Sequence, residues 1–379
     1  MKIGIDARMF GSRQTGIGNY IKNLTSEIFK LDQKNDYYIF LAESQLKRFS
    51  ASSPKIHKIK ANSHWYSWSE QTRFLLDLLK YKLDLVHFLH FNVPWLYRGK
   101  FIVTVHDITQ NYYSGSGYSG YLKKLAYRFI FSRAIDRSGA VIAVSDFTKQ
   151  DLLDNFFGPV GRMARFGKIN VIYEGIDPIF KQPASPEEIR NVLNRYQITE
   201  PYLLYAGVWR RHKNVLGLIS AFKLLKNKYN VKQKLVLLGE EDKNYQVVNR
   251  TIEELGLAED IIRPGFLPFK DLPAIFAGAS VYVLPSFREG FGLTPLEAMS
   301  QGTPVVASKA TCLPEILEDA AIYFNPHDYQ DMADKIYRLL TDNNLRNSLI
   351  SRGQAITSRY SWHESAKQTL RVYESILRQ

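Results

Sequence analysis

The stretch Val281-Tyr-Val-Leu-Pro-Ser-Phe-Arg-Glu-Gly-Phe-Gly-Leu-Thr-Pro-Leu-Glu297 decides the fold. Val281–Leu284 is apolar without alternation, which is how a strand buried on both faces of a parallel sheet reads. Pro285 and Ser286 stop the strand, and a loop carrying Gly290 and Gly292 follows. A helix comes next, with Thr294 expected at its N-cap, Pro295 at N1 and Gly302 just beyond its end. Strand, glycine-rich loop and helix in that order belong to a βαβ unit. Thr294 and Glu297 also fit a capping box, T-x-x-E. A capping box accounts for Glu297 but not for Glu289 or the two glycines. Two carboxylates flanking backbone amides at a helix start could hold a sugar by its hydroxyls and a phosphate by the amides.

The same rhythm runs along the chain. Candidate strands lie at Lys2–Asp6, Tyr37–Leu41, Leu85–Phe88, Phe101–His106, Val141–Val144 and Ile169–Tyr173. A second series lies at Tyr202–Ala206, Lys234–Leu238, Ile261–Arg263, Val281–Leu284, Pro304–Ala307 and Ala321–Phe324. Helical segments such as Asn19–Lys30, Glu70–Lys82, Tyr121–Arg137 and Val215–Lys226 separate them. This alternation predicts an α/β chain with mostly parallel sheets. Pro183-Ala-Ser-Pro186 reads as a linker where the series restarts. The expected division is an N-terminal Rossmann-like domain over 1–183 and a C-terminal one over 184–360. A terminal helix over 361–379 is expected to pack back on the first domain. Two such domains facing each other across a cleft would place their sites in the loops just after the strands.

Composition narrows the class. The 379 residues carry 50 Lys+Arg against 37 Asp+Glu, a net charge of +13, with 45% apolar residues. A disordered or collagen-like chain is excluded. The single cysteine, Cys312, excludes an intrachain disulfide framework and a cysteine-rich zinc site, and suits a reducing compartment. The start Met1-Lys-Ile-Gly-Ile-Asp6 has no signal-peptide h-region. The longest stretch free of Asp, Glu, Lys and Arg, Leu272–Phe287, falls short of a bilayer span. A cytoplasmic protein is expected. Residues 1–180 hold 25 Lys+Arg and 15 Asp+Glu, a net +10, so the first half is expected to meet something anionic. Tyr121–Ala134 is a basic, aromatic helix candidate that suits an anionic membrane surface, or an ordinary helix packed on the sheet.

Several loops carry candidate chemistry. Thr15-Gly-Ile-Gly-Asn-Tyr20 is read as a loop opening a helix, where Gly16 and Gly18 would let amides approach a phosphate. It is not a full dinucleotide fingerprint, because Ile21 stands where a glycine is needed. Gly115, Gly117 and Gly120 formally spell G-x-G-x-x-G, but sit well past their strand and are read as a loop lining the cleft. His106, at a strand end and followed by Asp107, could donate a hydrogen bond or transfer a proton. Arg210-Arg211-His212-Lys213 places cations after a strand, with Asn214 positioned to cap the next helix, an arrangement suited to a diphosphate. No G-x-S-x-G, P-loop, H-E-x-x-H or Asp-x-Asp occurs; Glu240-Glu241-Asp242 is the nearest acidic triplet.

The Glu289–x7–Glu297 element resembles the retaining family 4 glycosyltransferases, which have the GT-B architecture of two Rossmann-like domains. Thr15–Tyr20, Thr104-Val-His-Asp107, Val141–Asp146, Val171–Asp177, Tyr205-Ala-Gly207 with Lys213-Asn214, Gly239 and Leu313-Pro-Glu315 agree in order, to about residue 328. Among that family the chain resembles most the bacterial mannosyltransferases of O-antigen and exopolysaccharide synthesis. The resemblance implies that Glu289 touches donor-sugar hydroxyls near the reaction centre. It implies that the amides around Phe291, Gly292 and Leu293 hold sugar and phosphate, and that Glu297 binds the ribose. Lys213 with Arg210 or Arg211 (Arg211 preferred) would neutralise the leaving diphosphate, which Gly16 and Gly18 would approach from the other domain. His106 would help position the transition state, and the strip Gly265-Phe266-Leu267 would face the base. The chain departs from the family pattern at Val208, where many members carry arginine.

The expected reaction moves a hexose, first of all mannose from GDP-mannose, to a hydroxyl of a glycan acceptor, with a UDP-hexose such as UDP-glucose as the alternative donor. No cofactor or metal is required beyond the nucleotide sugar. The expected acceptor is linked to polyprenyl diphosphate, which places the protein in the cytoplasm or peripherally on the inner face of the plasma membrane. No nucleic-acid partner is expected. A non-catalytic basic protein binding membrane or nucleic acid is the alternative of another class, but a pure binder has no evident need for Glu289 and Glu297 in one loop.

Overall fold

The apolar runs fold as strands of two parallel sheets in a computed structural model, which describes residues 1–11, 15–65, 67–113, 117–156, 167–243 and 245–378. The first sheet comprises β1 (Lys2–Asp6), β2 (Asp36–Leu41), β3 (Ile56–Lys60), β4 (Leu85–Phe88), β5 (Phe101–Val105), β6 (Ala140–Ala143) and β7 (Ile169–Val171), in the order β3-β2-β1-β4-β5-β6-β7. The second comprises β8 (Tyr202–Ala206), β9 (Lys234–Leu238), β10 (Ile261–Gly265), β11 (Val281–Leu284), β12 (Val305–Ser308) and β13 (Ala321–Phe324), in the order β10-β9-β8-β11-β12-β13. Registers run in parallel throughout, for example Ile3↔Leu85 and Tyr282↔Val305. Every residue of β4, β5, β6, β11 and β12 is buried, because helices cover both faces.

Both sheets are doubly wound, and each has one point where the strand order reverses. In the first sheet it lies between β1 and β4; in the second, between β8 and β11. Ligands of open α/β sheets bind beyond the carboxyl ends of the strands at such a switch point.

The chain divides into two units: Met1–Gly175 with Ser361–Gln379, and Ile176–Tyr360. The boundary therefore falls before Pro183 rather than at it. Phe180 sets its ring edgewise against Phe269 and Phe276, at 5.7 and 5.6 Å, and Gln301 Nε2 donates to the carbonyls of Phe180 and Gln182. The expected linker is instead a helix entry: Ser185 and Glu188 form a reciprocal capping box at the start of Pro186–Arg195. The terminal helix, Trp362–Leu377, lies in the first unit. Trp362 meets Tyr20 edge to face at 5.5 Å, His363 reaches Glu27, and Tyr373 contacts His87 Nδ1 at 2.7 Å.

Two further expectations change. Thr15–Leu31 is helical from its first residue, so Gly16 and Gly18 sit in a helical turn rather than a loop. Gly117 and Gly120 lie in the helix Gly117–Arg137, and Gly115 lies outside the described residues. The formal glycine fingerprint is thus no strand–turn–helix element.

Candidate active site

In the second unit, the loops after β8 and β11 bring charge to the switch point. Lys213 ends a short 3-10 turn, Arg211–Lys213. Its Nζ donates to both carboxylate oxygens of Glu289, each at 2.8 Å. The Ser286 hydroxyl donates to Glu289 Oε1 at 2.7 Å, and the Glu289 amide donates to Thr311 Oγ1. Asn214 takes a left-handed conformation and does not cap the following helix. Its Nδ2 donates instead to the carbonyls of Pro285 and Pro326, which ties the two loops together. The Phe287 amide donates to the His212 carbonyl and closes the tie from the other side. Lys213 and Glu289 are therefore held by their loops, while the pair keeps a partly open face, with side-chain exposures of 25% and 12%.

The expected capping box at Thr294 is absent. The helix runs Leu293–Ser300 with Gly292 at its N-cap and no side-chain cap. Thr294 lies inside the helix, where its Oγ1 accepts from Tyr282 OH at 2.7 Å. Gly292 has φ 88°, and a Cβ there would lie 2.8 Å from Leu313 Cδ2, so glycine is demanded twice over. A helix start without a side-chain cap leaves its positive end for an exogenous anion. The Phe291 ring is buried against Tyr360, so any ligand role falls to its backbone. Glu297 is 6% exposed on the same helix.

Of the neighbouring cations, Arg210 Nε is engaged by Asp242 at 2.8 Å. The Arg211 side chain is exposed and makes no hydrogen bond or ion pair among the described residues. Phe266 follows the end of β10 and is 54% exposed, presenting an apolar face at the carboxyl edge of the sheet. Cys312 donates to the Glu289 carbonyl; burial, and then the field of Glu289, push its thiol well up, so it is no nucleophile.

In the first unit, His106 is the residue after β5. Its Nδ1 lies 3.2 Å from Glu174 Oε1 and its Nε2 lies 3.0 Å from the Leu89 carbonyl. Both partners are acceptors. A neutral ring can donate to only one of them; satisfying both takes a proton on each nitrogen. Tyr20 packs edge to face on the ring at 4.6 Å, and His90 stacks at 6.4 Å. Burial, then the field of His106, push His90 down to about 4. A carbon on Gly18 would lie 2.1 Å from the Gly11 carbonyl oxygen, whereas no described atom lies within 4 Å of one on Gly16.

Glu174, Ser286 and Thr311 were not singled out from the sequence. Glu174 lies in Val171-Ile-Tyr-Glu174, just after a candidate strand, and that position is the signal that points to it. Ser286 and Thr311 carry no pattern of their own.

Two doubly wound units, with a Lys–Glu pair beside an uncapped helix start at a switch point, define an α/β enzyme equipped for an anionic ligand. Residues 15–180 match Glycosyltransferase Family 4, and residues 186–356 match Glycosyl transferases group 1. The chain is 33% identical to O-antigen chain mannosyltransferase B of Escherichia coli over 95% of this chain and 96% of that one. It is 25% identical to the serotype-specific mannosyltransferase WbdA of E. coli over 93% of its length, which spans 45% of that longer protein. The fold is shared with sucrose-phosphate synthase of Thermosynechococcus elongatus, at TM-score 0.78 and 18% identity, covering 99% of each chain. It is also shared with Anabaena HepE in complex with UDP and glucose, at TM-score 0.77 and 19% identity, covering 99% of this chain and 100% of that one. The chain belongs to glycosyltransferase family 4 and is a glycosyltransferase of GT-B fold.

Proposed function

We propose that the protein transfers mannose from GDP-mannose to a hydroxyl of a glycan acceptor, with retention of configuration, in the synthesis of a cell-surface polysaccharide. The observation that carries this reading is the bidentate Lys213–Glu289 pair at the β8/β11 switch point, beside the helix that Gly292 opens. The mannose assignment is supported by the full-length likeness to an E. coli O-antigen mannosyltransferase.

In this reading the acceptor oxygen attacks C1 of the sugar on the face from which the diphosphate departs. The C1–O bond breaks with its electron pair going to phosphate, and the hydroxyl proton passes to that phosphate oxygen. No side chain forms a covalent intermediate. Lys213 and Arg211 offset the charge growing on the diphosphate, and the helix N-terminus adds its dipole. Glu289 holds sugar hydroxyls, Glu297 the ribose, and Phe266 faces the base. His106 is taken to help position the transition state. Fixed cations serve where a metal otherwise would, so chelation with EDTA should leave turnover intact. The acceptor is taken to be carried on a polyprenyl diphosphate.

A thermal-shift panel of GDP, GDP-mannose, UDP and UDP-glucose tests the donor, because a ligand of the native state raises apparent stability. The guanine pair should shift the transition most; a response to the uridine pair alone would assign a UDP-hexose donor. Glu289→Ala should abolish nucleotide release. Release at the wild-type rate from that variant, or no shift with any nucleotide, would remove the enzymatic reading.

A further inference from the structure

Thr311 stands on the loop that follows β12, with φ 52°. That is left-handed backbone, where a Cβ crowds the chain and glycine or asparagine is the usual residue. Asn214 and Asn230 share this region, and their Cβ atoms are unbranched. Thr311 is the one described residue there with a branched Cβ, which strains it most. Such strain persists only where the surroundings hold it, and it collects at functional sites. Glycine would adopt the same backbone freely. A threonine at this point needs a use for its side chain.

That use is a bond to the backbone of Glu289. Thr311 Oγ1 accepts from the Glu289 amide at 3.1 Å. The next residue, Cys312, donates from Sγ to the Glu289 carbonyl at 3.4 Å. Two consecutive side chains thus clasp one residue of the neighbouring loop by its amide and its carbonyl. The loop after β12 braces what lies on either side as well. Ser308, the last residue of β12, donates from Oγ to the Ser286 carbonyl. Leu313 fills the space beside Gly292.

Glu289 needs this support. Gly290 follows it, so no side chain stiffens the chain beyond. Its carboxylate is held by Lys213 and Ser286. In the proposed reaction those bonds change when a nucleotide sugar enters. Lys213 turns to the diphosphate, and sugar hydroxyls donate to the carboxylate oxygens. The bonds to the Glu289 amide and carbonyl take no part in that exchange, so they keep the residue in place while the partners of its carboxylate move. A group that holds a substrate must stay within about 0.5 Å of its productive position, and pinned backbone supplies that precision.

We propose that Thr311 is a positioning residue for Glu289: its strained left-handed backbone aims Oγ1 at the Glu289 amide and thereby fixes the carboxylate that recognises the donor sugar. The proposal rests on the reading of Glu289 as the group that holds the sugar hydroxyls.

Calorimetric titration of the full chain with GDP and with GDP-mannose tests it. The readout is the ratio of the two affinities, in which contacts to the nucleotide cancel and contacts to the sugar remain. Thr311→Val keeps the branched shape but cannot accept the hydrogen bond. It should lower GDP-mannose affinity about tenfold relative to GDP and leave GDP affinity within about twofold of wild type. Thr311→Ser keeps the hydroxyl and should keep the wild-type ratio. Thr311→Gly removes the strain and the hydroxyl together, so it should melt higher than Thr311→Val and yet show the same loss. In a Glu289→Ala background, Thr311→Val should change the ratio less than about twofold, because its effect passes through Glu289.

An unchanged ratio in Thr311→Val, or a fall that persists undiminished in Glu289→Ala, overturns the proposal. So does a wild-type ratio in Thr311→Gly, which assigns Thr311 to the shape of its loop alone. These outcomes leave the proposed function standing. A ratio unaffected by Glu289→Ala itself removes the sugar-holding role on which the proposal rests. Should the wild-type protein bind only the uridine pair, UDP and UDP-glucose supply the ratio. Binding of none of the four removes the proposed function, and the positioning role with it.

Discussion

Lys213 and Glu289 pair in the absence of substrate, so each fixes the other while the site waits. When a nucleotide diphosphate enters, Lys213 gains a second anionic partner, and its stabilisation grows as the leaving group takes up charge. Removing such a group typically costs ~10²–10³ in kcat. Lys213→Ala should show a loss of that order, together with a lower melting temperature, because the Glu289 carboxylate, only 12% exposed, is left without its cation. The arginines should separate. Arg210 is already engaged by Asp242, while Arg211 has no ionic partner among the described residues. Arg211→Ala should raise donor KM about tenfold, and Arg210→Ala by no more than about twofold. Steady-state kinetics at saturating acceptor reads both; equal effects would remove Arg211 from its role. These residues were legible because their types and spacing state a chemistry. Thr294 was misread because a T-x-x-E pattern and a glycine cap compete for one helix start. The left-handed turn at Gly292 won, and the threonine hydroxyl found Tyr282.

At the scale of elements, strands were the readable part, since burial on both faces writes an unbroken apolar run. β3, Ile56-His-Lys-Ile-Lys60, escaped because it is an edge strand that keeps its lysines in water. The contacts that fix the unit boundary, such as Gln301 with the backbone near Phe180, join positions far apart in sequence and leave no local trace. The helix Thr15–Leu31 offers a test of what its glycines are for. A methyl on Gly18 would strike the Gly11 carbonyl, so Gly18→Ala should lower the melting temperature by several degrees. Gly16 has open space and is exposed, and alanine favours a helix by up to ~1 kcal/mol. Gly16→Ala should therefore melt no lower than wild type, yet lose donor affinity in the thermal-shift assay. Unchanged donor affinity would mean that Gly16 serves only the turn. A second element-level consequence concerns acid. Burial first, and then the field of His106, hold His87 down to about 3 and His90 to about 4. Their unfolded values are ~6.5, so below that pH the unfolded chain binds protons that the fold refuses. Stability is fully present above pH ~6.5 and falls as pH drops toward 4. Melting temperatures between pH 8 and 4 should show this, with a shallower slope in His90→Gln; identical slopes would mean that carboxylates alone set the acid limit.

Over the whole molecule the charge is uneven, and the glycosyltransferase site uses little of it. The cations assigned to the diphosphate lie in the second unit, whereas residues 1–180 hold the net +10. The short helix Leu75–Lys80 turns Leu76 and Leu79 to solvent, 66% and 54% exposed, with Lys80 at its end and Arg73 and Lys82 in the flanking sequence. No described helix is long and apolar enough to cross a membrane. Exposed leucines among lysines and arginines are the composition of a segment that lies on an anionic bilayer, where each cation adds about 1 kcal/mol near the surface. A lipid-linked acceptor would be met at that surface. The protein should therefore float with vesicles rich in anionic phospholipid at low salt and leave them at about 0.5 M salt, because screening shortens the reach of each charge below ~10 Å. Neutral vesicles should not retain it, and Leu76→Ser with Leu79→Ser should weaken flotation without altering nucleotide-induced thermal shifts. Binding that ignores both salt and lipid charge would sever the link between the basic first unit and a membrane-borne acceptor, and would leave the surplus charge to solubility alone.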